Sequence, residues 1–180
     1  MIQKKLIYLI ISLFTIGFFN LVLTGCEKDD VCIETPITPQ LQIVFEDAEN
    51  NNPAESLRKR VVGLLIRQIA IADTLKVLLN TAQTDSISIP LNVNENSVVY
   101  EFTENFGAQD STVIRRDTIT FNYLRNNVYV NRACGFKTEF TDLEEESNLN
   151  TTDDSKWINR INVENTTINN EEEIHITIFH

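Results

Sequence analysis

The chain is poor in the residues that most enzymes use for proton transfer and metal binding. It has two histidines, His175 and His180, both near its end. On one strand they point to opposite sides and cannot chelate one ion together. Ile174, Ile176 and Ile178 share a face, which puts His175 on the other, solvated one. The sequence contains no Gly-x-Ser-x-Gly elbow, no His-Glu-x-x-His pair and no phosphate-binding glycine loop. The usual signatures of serine hydrolases, zinc proteases and nucleotide sites are therefore missing. A hydrolytic triad would have to recruit His175 from a terminal strand.

Aromatic platforms are scarce as well. Trp157 is the only tryptophan, and it shares a face with Ile161 and Val163, which marks it as core rather than a sugar-stacking surface. Tyr100 and Tyr123 fall on apolar faces by alternation, so Tyr129 is the best exposed candidate. Glycine is rare: beyond the first 25 residues only Gly63, Gly107 and Gly135 occur, and asparagine is expected to make many of the turns. Basic residues are a minority, 15 against 26 acidic ones, for a net charge of −11. Such a surface repels phosphates and excludes a nucleic-acid partner. The short runs Arg58-Lys59-Arg60 and Arg115-Arg116 lie among acids and read as solvated strand ends.

The acids themselves suggest no metal site. Asp142, Glu144, Glu145, Glu146, Asp153 and Asp154 follow Phe140 without the alternating spacing and glycine of a calcium loop. They read as a solvated loop. No catalytic residue, metal or cofactor is assigned.

The informative segment is the first 30 residues. Lys4 and Lys5 precede an apolar stretch, 6–23, broken only by Ser12, Thr15, Gly17 and Asn20. As a helix it would span about 27 Å, nearly a bilayer core, so a retained anchor competes with a cleaved leader. Leu23-Thr24-Gly25-Cys26 decides for cleavage, because it resembles the lipobox of bacterial lipoproteins. That resemblance implies a signal peptide over 1–25 and diacylglycerol on the Cys26 thiol. Two or three acyl chains anchor stably, at about 0.8 kcal/mol per buried methylene. Loss of Lys4 and Lys5 leaves the mature chain still more acidic. Lys28-Asp29-Asp30 resembles the export signal that sends Bacteroidota lipoproteins to the outer face of the outer membrane.

Residues 26–40, with Pro36 and Pro39, read as a lipidated tether, and 41–180 as one domain. Leu41, Ile43 and Phe45 alternate as a first strand. The segment 57–79 fits helical spacing in part, but Val61, Val62, Ile66, Ile69, Ile71 and Val77 are β-branched. Two strands, 60–67 and 74–79, are preferred over one helix. Alternation is plain around Ile87/Ile89, Val98/Tyr100/Phe102 and Ile119/Phe121/Tyr123. Asn126-Asn127 reads as a two-residue hairpin turn before Val128-Tyr129-Val130. Strands near 157–163 and 174–179 complete the set. About eight short strands with polar turns predict an all-β fold, an antiparallel β-sandwich of immunoglobulin-like or similar type.

The Cys26-Glu27-Lys28-Asp29-Asp30 start, the 84–91 stretch and Arg132-Ala133-Cys134-Gly135-Phe136 together resemble an uncharacterised family of Bacteroidota outer-membrane lipoproteins. The resemblance implies location, fold and the pairing of an early cysteine with a late one, and transfers no catalytic residue. The residues point the same way. With Cys26 consumed by lipid, Cys32 and Cys134 remain for a disulfide in an oxidising compartment. The Asn126-Asn127 turn would set Ile119 opposite Cys134, with the sulfur pointing inward. The functional expectation is a lipid-anchored, surface-facing outer-membrane lipoprotein with a non-enzymatic binding or assembly role. Its partners are the membrane through Cys26 and a protein or glycan. The alternatives are a carbohydrate-binding module for glycan uptake, or a hydrolase.

Overall fold

A computed structural model of the chain describes Cys32 and residues 38–49, 57–69, 75–147 and 156–180. These residues fold into nine strands: β1 (Leu41–Glu46), β2 (Val61–Ile69), β3 (Leu75–Thr84), β4 (Ser86–Ile89), β5 (Ser97–Glu104), β6 (Arg115–Asn131), β7 (Gly135–Ser147), β8 (Arg160–Val163) and β9 (Ile176–Phe179). They form a four-stranded sheet in the order β4-β1-β9-β8 and a five-stranded sheet in the order β3-β2-β5-β6-β7. The fold is an all-β sandwich. The described residues of segment 57–79 contribute to two strands, because β-branched side chains pack on a pleated surface and crowd a helix.

Alternation places the core as the sequence suggests. Leu41, Ile43 and Phe45 of β1 face Tyr100, Phe102 and Phe121 of β5 and β6 in one buried cluster. Trp157 joins it, and its indole N–H donates to the Phe102 carbonyl at 3.2 Å. Gly63 and Asp142 each shift the alternation by one residue, and the β2–β3 register slips once more between Ile66 and Arg67. At Gly63 the backbone takes φ +56°, and the amides of Asn105 and Phe106 reach the carbonyls of Val62 and Gly63. A β-carbon there would meet Phe106 O at 2.9 Å, so only glycine fits. Val61 and Leu64, three apart, both reach the core as a result. In β7, Asp142 takes φ +52° and performs the same shift between buried Phe140 and Leu143.

The pairings of the sandwich are dominantly antiparallel, as expected, and one is parallel: β1 runs beside β9, with Ile43 opposite Ile176. Several finer expectations need correction. The chain does not turn at Asn126-Asn127. Strand β6 runs through both asparagines to Asn131, and the turn falls on residues 132–134, where Gly135 supplies φ +73°. Ile119 accordingly pairs with Tyr100 of β5 and not with a residue near Cys134. The acids Asp142, Glu144, Glu145 and Glu146 form no loop; they belong to β7, whose core face is carried by Phe140 and Leu143. The bulge at Asp142 breaks the period of two and hides the strand from pattern reading. Asp153 and Asp154 lie outside the described residues.

Two compact units are distinguished. One contains the hairpin tip Val130–Phe136 with Cys32, and the other contains Ile37–Tyr129 and Lys137–His180.

Candidate functional site

Cys26, Lys28, Asp29 and Asp30 lie outside the described residues. Cys32 and Cys134 are joined by a disulfide, with Cα atoms 5.0 Å apart and a sequence separation of 102. Cys134 sits in the β6–β7 turn, where its amide donates to Asn131 Oδ1 at 2.6 Å. It is half-buried there. The expectation of an inward-pointing half-cystine therefore fails, because the turn lies beyond the stretch of β6 that faces the core.

His175 also departs from expectation. It is fully buried rather than solvated. Its Nδ1 accepts the Gln42 amide at 3.1 Å, and its own carbonyl takes the amides of Glu164 and Asn165. Burial lowers its pKa below the ordinary histidine value, against a smaller opposing influence from Glu173. His180 is lowered too, again mainly by burial, and its ring stands edge-on to Phe45 and Trp157. Among the described residues no three His, Cys, Asp or Glu side chains gather into a metal set. The buried carboxylate of Asp117 is spent on structure: Oδ2 accepts the amides of Trp157 and Ile158, each at 2.9 Å, and Oδ1 pairs with Lys156 at 3.2 Å.

The aromatic residues divide sharply. Trp157, Tyr100 and Tyr123 are buried, while Tyr129 is 57% exposed. The two buried tyrosines grip the β4–β5 connection. The Tyr100 hydroxyl donates to the Pro90 carbonyl. The Tyr123 hydroxyl donates to the Asn92 carbonyl at 3.0 Å and accepts the Asn92 amide at 2.9 Å. Burial raises both phenol pKa values, that of Tyr123 to about 12. Arg125 completes the grip, reaching Asn96 Oδ1 at 2.7 Å and the Val93 carbonyl at 2.8 Å.

This fixed connection roofs a cleft of about 240 Å³ lined by Gln68, Lys76, Leu91, Asn92, Val93 and Tyr100, with Pro90 beside them. Its wall is built by register. Lys76 of β3 pairs with Gln68 of β2, which pairs with Tyr100 of β5, so one cross-strand row faces the cleft. Small-molecule pockets commonly measure roughly 300–1,000 Å³, and this cleft falls just below that range. Its polar side chains include the carboxamides of Gln68 and Asn92 and the ammonium of Lys76, a set that can orient a ligand but offers no nucleophile paired with a base. Sequence reasoning missed it. The available signal was Gln68, a polar residue in the inward phase of Leu64 and Ile66.

The comparison with family models matches residues 61–180, most of the sandwich, to a family of unknown function, DUF6452. The chain belongs to this family. No curated protein and no solved structure matches it. The matched span in DUF6452 begins at β2 and includes Gln68, Lys76, the gripping tyrosines and Cys134.

Proposed function

We propose that this member of DUF6452 is a lipid-anchored outer-membrane lipoprotein of Bacteroidota type, facing the cell exterior, that works as a binding or assembly component and not as an enzyme. The observation that carries the reading is Cys26, placed after Leu23-Thr24-Gly25 at the end of an apolar leader. Lys28-Asp29-Asp30 directs it outward, and the acidic composition keeps the displayed domain solvated. The cleft beside Tyr100 supports binding over catalysis, since its lining positions polar groups without a base–nucleophile pair. The burial of Trp157, Tyr100 and Tyr123 weighs against an aromatic sugar platform, and the burial of His175 against a solvent-reaching triad.

Protease added to intact cells tests the reading. The wild-type protein should be degraded, and replacement of Lys28, Asp29 and Asp30 by alanine should protect it. Equal digestion of the two would remove the outward signal, and protection of both would remove surface display.

A further inference from the structure

Among the described residues, three of the four sheet edges are short or covered. β4 and β8 have four residues each. The free side of β7 is taken in part by residues 166–168, with Phe140 and Ile168 exchanging amide–carbonyl bonds and Leu143 donating to Thr166. β3 differs. It is ten residues long, terminates the five-stranded sheet, and has no described strand on its outer side. It carries two blunting devices, Lys76 and a bulge where the β2–β3 register slips between Ile66 and Arg67, but no proline, and Val77 is 56% exposed. Unpaired amides and carbonyls along such an edge template the pairing of another strand.

The cleft opens beside this same edge, on the inner face, through the Lys76–Gln68–Tyr100 row. We propose that β3 accepts an extended peptide segment of a partner protein as an added strand. Main-chain hydrogen bonds supply affinity, and the cleft selects side chains. The segment carries an acidic residue against Lys76 and an apolar residue two positions away. That spacing puts both on the face that meets Leu91 and Val93. Charge favours a foreign segment over a second copy. Residues 75–84 contain no acid in a chain that has 26, so antiparallel pairing of β3 with itself gives Lys76 no counter-charge. The inference rests on the reading of the domain as a binding component and names its partner class.

The test is selection of phage-displayed random decapeptides on the full chain purified in detergent, followed by titration of the selected peptides. Enriched peptides should share an acid and an apolar residue two apart. Their affinity should fall at least tenfold in Lys76→Glu and in Val77→Glu, and on N-methylation of alternate peptide amides. Both variants lie on an exposed edge and should melt with the wild type. No enrichment, or binding unchanged by both variants, overturns the proposal. A dimer of the chain abolished by Val77→Glu also overturns it, since the edge would then belong to a second copy. Binding is read on purified chain whatever its cellular location, so failure here is distinct from failure of surface display.

Discussion

The imidazole of His175 accepts the backbone amide of Gln42 at 3.1 Å, while the His175 amide donates to the Gln42 carbonyl, also at 3.1 Å. This double contact starts the parallel β1–β9 pairing that joins the two ends of the domain. An accepting Nδ1 requires the neutral ring with its proton on Nε2. That nitrogen is buried with no partner among the described residues. A second proton would break the Gln42 bond and place a charge in the interior.

Stability should therefore rise with pH through the histidine range. Burial lowers the folded pKa of His175 and of His180 from 6.5. Below about 6.5 the unfolded chain binds protons that the folded chain refuses, and the folded state loses ground. The loss continues as pH falls until the folded pKa values are reached. The charges near His180 are Lys59, Glu104 and Asp47, and near His175 Glu173, whose influences are smaller than burial. Thermal melts between pH 5 and 8 should show this slope, and His175→Gln should reduce it.

Gly63→Ala should destabilise the domain by roughly 2 kcal/mol or more, since it combines a left-handed backbone with a steric clash. Its φ is +56° and the added carbon would meet Phe106 O at 2.9 Å. Gly107→Ala should cost less, because its φ of +86° is strained but its surroundings are open. Urea denaturation of the two variants checks the order.

Asp117→Ala should cost about 2–5 kcal/mol, because it leaves two amides and Lys156 without their buried acceptor. Asp117→Asn should cost less, retaining one carbonyl oxygen for the amides of Trp157 and Ile158. Denaturant midpoints distinguish the two.

The Cys32–Cys134 bridge spans 102 positions. The chain-entropy model assigns about 4.7 kcal/mol to a loop of roughly 100 residues. Cys134→Ser should lower the melting temperature accordingly. In the wild-type protein the two thiols should react with maleimide only after reduction.

Much of the sandwich is legible in the sequence because its strands bury one face. Leu41/Ile43/Phe45, Val98/Tyr100/Phe102 and Ile119/Phe121/Tyr123 all reach the core as their alternation indicates. The pattern fails where the backbone inserts a residue. Asp142 shifts the phase of β7, so a run of acids conceals a strand. Asn126-Asn127 has the local chemistry of a turn, yet β7 pairs alongside β6 and carries the strand on to Asn131. The turn uses Gly135 instead. His175 alternates with core isoleucines, but contacts from Gln42, Glu164 and Asn165 bury it. For the cleft the sequence offers only the inward phase of Gln68, because Lys76, Gln68 and Tyr100 become neighbours through the pairing of three strands.

The central proposal is the lipid on Cys26, because the proposed display at the membrane depends on it. Cells labelled with palmitate test it directly. Wild-type protein should carry label, partition into detergent and lack residues 1–25, whereas Cys26→Ser should remain unlabelled and uncleaved. A Cys26→Ser protein that is labelled and processed like the wild type would contradict the account.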